Sequence, residues 1–261
     1  MKKLFAAFCF LFAAVLAGAG ELRIADATGG APLDVFVQAG VELALEGKIN
    51  LSMTRQLPSE ALKMLDENKY DAVIIDRRFA KERPYIPLAA EALAIYCSRA
   101  NPGTDLTEKQ LLDILTSPRP SWKNYNHLSF DIQRITCKSV TPSGTLLNRI
   151  FGNRDFSAEI FKVESISSGF NFINSGSMFF AQYVPLFPEH VKTLSVRGVM
   201  PTSGNILNNK YPLTVYYVMI YRRKSADLQT LIDLLGRTSY RRIMSDSGWF
   251  VMLPELLVVE K

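Results

Sequence analysis

Hydrophobic and polar positions follow two alternating periods along residues 22–76. Short apolar runs rich in β-branched residues indicate buried strands, and between them apolar residues recur at helical spacing. The predicted strands are Leu22–Ala27, Asn50–Thr54 and residues 70–76, and the predicted helices carry first Leu33, Val37, Val41 and Leu45 and then Ala61, Leu62 and Leu65. This alternation predicts an α/β fold with a mostly parallel sheet. Ligands of such sheets bind beyond the carboxyl ends of the strands.

The same alternation continues beyond residue 90. The predicted strands are Ala92–Tyr96, Ile132–Cys137, Phe161–Ser165, Val191–Val196 and Leu213–Tyr221. Helices are predicted after a cap at Thr104 or Thr107, from about Ser143 to Gly152, and from Leu228 onward. Stretches rich in small and polar residues, at 167–169, 175–177 and 201–205, are predicted as loops. No composition shift marks a linker, so two domains would have to share strands.

The stretch Thr141-Pro142-Ser143-Gly144-Thr145 joins a predicted strand to a predicted helix. A helix N-terminus presents unpaired backbone N–H groups and about half a positive charge. Together with three hydroxyls, these groups suit a small anion. The alternative interpretation is that Ser143 is only the N-cap of the helix. A second junction of this kind follows the first strand at Thr28-Gly29-Gly30.

The N-terminus has the pattern of a secretory signal peptide. Lys2 and Lys3 precede the apolar run Leu4–Leu16, and Ala17-Gly18-Ala19 matches a cleavage site. We therefore expect residues 1–19 to be removed after Ala19 and the protein to be periplasmic. The full chain carries a formal charge of +5, and loss of the two lysines leaves +3. This mild excess is compatible with anionic ligands, and we expect no nucleic-acid partner.

Cysteine and histidine provide little further chemistry. After cleavage Cys97 and Cys137 remain, both near the ends of predicted strands, and two interpretations stay open: a disulfide, or two buried thiols. His127 and His190 are isolated, and no spacing of metal-ligand residues is present. We expect no metal and no cofactor. Without a nucleophile–base pair or a phosphate-binding P-loop, the sequence predicts a protein that is not an enzyme.

The order of several short motifs resembles the periplasmic phosphate-binding protein family (PstS-like proteins). These motifs are Leu106-Thr107 with Leu111 to Leu115, Trp122, Ser143-Gly144-Thr145, Pro201-Thr202, Lys210-Tyr211-Pro212-Leu213, and Gly248-Trp249 with Leu253-Pro254. The resemblance implies a two-lobed, type II periplasmic-binding-protein-like α/β fold with mostly parallel sheets and two crossing strands at the hinge. Lobe 1 would comprise residues 20–92 plus 214–261, and lobe 2 residues 93–213.

The family pattern also assigns ligand-binding residues. Ser143, Gly144 and Thr145 match the phosphate-cradling loop, which implies direct contact with the anion. Thr28 and Gly29 match a first-loop contact or a tight turn, and Ser59 matches a contact or a helix cap. Asp76 matches the carboxylate that accepts the remaining proton of bound phosphate; its alternative is an ion pair with Arg77 or Arg78.

One departure from the pattern concerns charge. The family arginine about four residues before the Ser-Gly-Thr loop is replaced here by Ser139. Lys138 lies on the opposite face of an alternating strand and is not a safe replacement, so Arg77 is the candidate for the missing charge. The resemblance implies a monomeric solute-binding protein that delivers a small oxyanion, phosphate first, to an inner-membrane ABC transporter. The alternative is a sensor or accessory protein with a degenerate ligand site.

Overall fold

A computed structural model of the protein describes residues 20–31, 33–125, 128–139, 141–152 and 154–253, without the side chain of Pro142. The predicted signal peptide lies outside these residues. The described chain divides into two compact units. Unit 1 comprises residues 20–89, 216–247 and 251–253, and unit 2 comprises residues 90–215 and 248–250. The lobe boundaries predicted after residues 92 and 213 differ from these unit boundaries by two or three residues, whereas residues 248–250, which the sequence analysis assigned to lobe 1, lie in unit 2.

Unit 1 contains the N-terminal strands and helices and the two C-terminal helices. Its elements are β1 (Gly20–Ala27), α1 (Asp34–Leu45), β2 (Ile49–Arg55), α2 (Pro58–Asp66), β3 (Ala72–Asp76), most of β11 (Thr214–Tyr221), α7 (Ala226–Leu235) and α8 (Thr238–Asp246). In its sheet β1 lies between β2 and β3 and is parallel to both, and β11 is antiparallel to β3. The three parallel strands therefore end at one edge, where the loops after β1, β2 and β3 gather.

The packing of α1 corrects one detail of the sequence analysis. Val37, Val41 and Leu45 are 61%, 55% and 67% exposed, although they form a row at helical spacing. The buried row is Val35, Phe36, Ala39 and Leu43. This helix carries two apolar rows, and spacing alone does not tell which of them packs against the sheet.

Unit 2 is built around a second mixed sheet. Its elements are most of β4 (Tyr85–Ser98), β5 (Asp105–Leu106), α3 (Glu108–Thr116), β6 (Gln133–Cys137), α4 (Pro142–Phe151), β7 (Phe161–Val163), α5 (Ile166–Phe170), β8 (Ser177–Gln182), β9 (Val191–Thr193), β10 (Ser195–Val196) and α6 (Ser203–Leu207). The strand order is β4-β8-β6-β7, with β6 parallel to β7 and β8, and β4 antiparallel to β8. The short segment β12 (Phe250–Val251) pairs with β4.

Three predicted loops differ from the structure. Residues 167–169 lie in α5, which begins after a capping box between Ser165 and Ser168. Residues 203–205 open α6, with Thr202 as N-cap. Ser177 begins β8, a fully buried strand that the sequence analysis did not identify. In each case a serine or threonine that suits a turn instead caps a short helix or starts a strand.

The possible disulfide is excluded by the position of β8. Cys97 in β4 and Cys137 in β6 are both free and buried. β8 pairs with each of these strands, so the two cysteines are at least two strand spacings apart, about 9–10 Å or more. A disulfide needs Cα atoms within about 7 Å. Burial raises the pKa of the Cys97 thiol to about 11, which is typical of an unreactive structural thiol.

None of the helices in the described ranges has the length and apolarity that a membrane span requires.

Candidate functional site

The junction between β6 and α4 carries the central candidate loop. Thr141 is the N-cap of α4: it adopts extended geometry, and its hydroxyl accepts a hydrogen bond from the Gly144 N–H at 3.0 Å. The Thr141 hydroxyl also donates to the Lys138 carbonyl at 2.7 Å. The interpretation of Ser143 as N-cap is therefore wrong, because the N-cap is Thr141, two residues before Ser143.

Gly144 lies where the first turn of α4 passes over the end of β6. A Cβ atom at this position would be 2.0 Å from the Lys138 carbonyl oxygen and 2.8 Å from that of Cys137. Both contacts are to backbone, which has no rotamer to move aside. Only glycine fits this approach, and the loop owes its shape to that residue.

Ser143 is buried, and its hydroxyl bonds within unit 2. The hydroxyl oxygen accepts a hydrogen bond from the Gln182 N–H at the end of β8, at 2.9 Å. Burial raises the pKa of the Cys137 thiol, and a hydrogen bond with the Ser143 side chain acts in the opposite direction. In this conformation Ser143 connects α4 to β6 and β8, and any ligand contact by its hydroxyl requires these bonds to exchange.

Thr145 belongs to a buried charged network that the sequence analysis missed. Its hydroxyl oxygen accepts a hydrogen bond from Arg149 Nη2 at 3.2 Å, one helical turn later in α4. Arg149 Nη1 is 2.5 Å from Oε2 of Glu91, and Oε1 of Glu91 accepts a hydrogen bond from the indole N–H of Trp249 at 2.8 Å. The side chains of Arg149 and Glu91 are 6% and 0% exposed. The i, i+4 spacing of Thr145 and Arg149 was the available sequence signal.

Thr28 lies at the carboxyl end of β1, as predicted, beside a residue that sequence reasoning did not single out. Oδ1 of Asp26 accepts from both the N–H and the hydroxyl of Thr28, at 3.0 and 2.6 Å, which forms an Asx turn. The Thr28 hydroxyl oxygen in turn accepts from the Ala31 N–H. Gly29 has a φ of 73°, so glycine is favoured here by the backbone alone.

Asp76 is the last residue of β3, at the same edge, and it is buried. Its Oδ1 accepts from the Arg78 N–H at 2.8 Å, and its Oδ2 accepts from the Arg78 guanidinium at 2.6 and 2.9 Å. The alternative interpretation of an ion pair with Arg78 therefore describes this conformation. The pair also raises the pKa of Arg78, mainly through this hydrogen bond.

Arg77 and Ser59 are both exposed on unit 1. The Arg77 guanidinium lies 6.0 Å from the centre of the Tyr85 ring, and among the described residues it has no ion-pair partner. Ser59 is the second residue of α2, whose N-cap is Leu57 with no side-chain cap. The predicted cap at Ser59 is therefore wrong, since Pro58 already occupies the first helical position.

The other cations near the loop are engaged elsewhere. Lys138 pairs with Glu164 on the surface. Arg134 is buried in β6 and donates to the carbonyls of Ile114, Ser117 and Pro118 at the end of α3, and to the Ser157 hydroxyl. Burial lowers the pKa of Arg134.

Within the described residues, no group of three or more histidine, cysteine, aspartate or glutamate side chains is arranged to hold a metal ion.

These features define a two-unit α/β protein in which hydroxyl-rich loops follow parallel strands, and the comparisons identify its fold as that of type II periplasmic binding proteins. An ABC-type phosphate transport receptor from Vibrio cholerae has 18% sequence identity and a TM-score of 0.65, covering 89% of this chain and 100% of the other. PstS from Borrelia burgdorferi has 17% identity and a TM-score of 0.71, covering 89% and 98%. The predicted fold is thereby confirmed. No family model and no curated protein matches the sequence.

Proposed function

We propose that this protein is an extracytoplasmic solute-binding protein without catalytic activity, which binds a small oxyanion and delivers it to an ABC transporter. Phosphate is the first candidate. The observation that carries the proposal is the fold, which this chain shares over 89% of its length with a phosphate transport receptor and with PstS. The N-terminal signal-peptide pattern supports export to the periplasm.

Candidate anion-binding residues occur in each unit. In unit 2 they are Ser143, Gly144 and Thr145 at the start of α4, where the helix dipole favours an anion. In unit 1 they are Thr28, Gly29, Ser59, Asp76 and Arg77, in loops at the carboxyl edge of the parallel strands. Arg77 is proposed as the cation that unit 1 supplies, since Arg78 is paired with Asp76.

Thermal unfolding with a panel of oxyanions tests this function. The protein is produced with its own N-terminal segment, purified in phosphate-free buffer, and melted with phosphate, sulfate, nitrate and carboxylates. A ligand at 100 times its Kd adds roughly 2.7 kcal/mol to the free energy of unfolding, so the melting temperature rises clearly. Thr145→Val and Arg77→Met are expected to reduce the shift, because each removes a donor to a charged ligand. The matched control is Lys138→Met, which removes a nearby exposed charge.

A second candidate function is supported by the bonds already present in the loops. The hydroxyls of Thr28 and Ser143 are used within the protein, and Asp76 is paired with Arg78. A site whose donors are internally satisfied suits a sensor or accessory protein with a degenerate ligand site on the same fold. Unchanged melting temperatures across the whole panel would reject anion delivery and favour this second function.

A further inference from the structure

The charged network of unit 2 connects three segments that are distant in the sequence. Glu91 lies in β4, Arg149 in α4, and Trp249 in the segment 248–250 that returns to unit 2. Arg149 donates to Glu91 with one nitrogen and to the Thr145 hydroxyl with another. The guanidinium therefore lies between the carboxylate of Glu91 and the hydroxyl of Thr145.

A buried ion pair is a weak source of stability. The free-energy cost of removing two charges from water offsets most of their mutual attraction. A protein in which well-packed apolar residues of similar volume replace the pair is often as stable. Stability alone therefore does not explain why this pair is buried in contact with Thr145, a residue of the candidate anion loop. Ser139, four residues before Ser143, carries no charge.

We infer that Arg149 supplies the positive charge of the Ser143–Thr145 anion site and that Glu91 sets the strength of that charge. The inference rests on the proposed function and deepens it. Arg149 donates to the Thr145 oxygen. An anion that bonds to the Thr145 hydroxyl in place of its present partners therefore lies within one hydroxyl of Arg149. Glu91, which is bonded to the other terminal nitrogen of the guanidinium, partly cancels the field of Arg149.

Neutralising Glu91 tests this role, because the direction of the change in phosphate affinity differs between an electrostatic role and a structural one. Glu91→Gln keeps the shape and an oxygen for the Trp249 N–H, and it leaves the charge of Arg149 uncancelled. We expect the Kd for inorganic phosphate, measured by isothermal titration calorimetry, to fall about tenfold or more, because charges separated by several ångströms in a protein interact strongly. If the network serves packing alone, the variant is less stable and binds no more tightly, which would overturn the inference.

Two further variants control for folding and for nonspecific charge. Glu91→Gln combined with Arg149→Met removes both charges and keeps side chains of similar length, so we expect it to fold even if the single variant does not. Its affinity for phosphate should be several-fold weaker than that of the wild type, because the nearer of the two charges is lost. Lys138→Met, which removes an exposed charge at the end of β6, should change the Kd less than twofold.

The outcomes separate this inference from the proposed function. In the first outcome the wild type binds phosphate, but Glu91→Gln binds no more tightly or the double variant binds with the same affinity as the wild type. This result rejects the role of Arg149 and leaves the proposed function standing. Binding of phosphate by Glu91→Gln alone supports the inference and rejects phosphate delivery by the natural protein. Absence of phosphate and sulfate binding in the wild type and in every folded variant rejects both.

Discussion

At the scale of single residues, the candidate loop is held by close backbone contacts and by bonds within the protein. Thr141 caps α4, Ser143 bonds to β8, and Gly144 allows the helix to approach β6. The Ser-Gly-Thr motif could be read from the sequence because such residues favour helix starts. The partner of the Ser143 hydroxyl could not, since Gln182 is distant along the chain, whereas Arg149, the partner of the Thr145 hydroxyl, lies only four residues further on.

The close approach at Gly144 predicts a large loss of stability on substitution. Gly144→Ala would place its Cβ 2.0 Å from the Lys138 carbonyl oxygen, and the strand and helix must separate to relieve the clash. We expect the free energy of unfolding in urea to fall by about 2 kcal/mol or more. The matched control is Gly204→Ala in α6, where a Cβ meets no atom within 4 Å, and where alanine should be neutral or slightly stabilising. Equal stability of the two variants would contradict the proposed packing.

At the scale of secondary-structure elements, the sequence predicted the elements with a strong apolar pattern and missed or misassigned several short ones. Strands such as β1, β3 and β11 were predicted to within a few residues, because their apolar runs are continuous and bounded by turn residues. β8 was missed because it begins directly at the end of a serine- and glycine-rich turn. Its central place between β4 and β6 decides the distance between the two cysteines.

The end of α3 depends on one buried arginine. Arg134 donates to three carbonyls near Ser117, which would otherwise lose their partners at the helix C-terminus. Arg134→Lys replaces a planar fork of donors by a single ammonium group, which cannot reach all of these oxygens. We expect the free energy of unfolding to fall by about 1.5–3 kcal/mol and hydrogen exchange to increase in the last turn of α3. The control is Arg154→Lys, an exposed arginine whose Nε donates to the Phe151 carbonyl. Unchanged exchange in α3 would show that the arginine does not hold this end.

At the scale of the whole molecule, each unit is completed by chain that returns late in the sequence. Unit 1 receives most of β11 together with α7 and α8, and unit 2 receives residues 248–250. The sequence predicted the return of β11 through its resemblance to a two-lobed fold. It did not predict that Trp249 donates to Glu91, because β4 and Trp249 are more than 150 residues apart.

This late return predicts that a substitution near the C-terminus weakens unit 2. Trp249→Phe keeps an aromatic ring and removes the indole N–H, so the buried carboxylate of Glu91 loses a donor. We expect a loss of about 1.5–3 kcal/mol, as for other hydrogen bonds to charged groups. Hydrogen exchange should increase in residues 90–98 and 142–151, which are joined through Glu91 and Arg149. Because α8 directly precedes this segment in the chain but lies in unit 1, its exchange is the internal control. An increase confined to α8 would mean that Trp249 stabilises its sequence neighbours and not the charged network of unit 2.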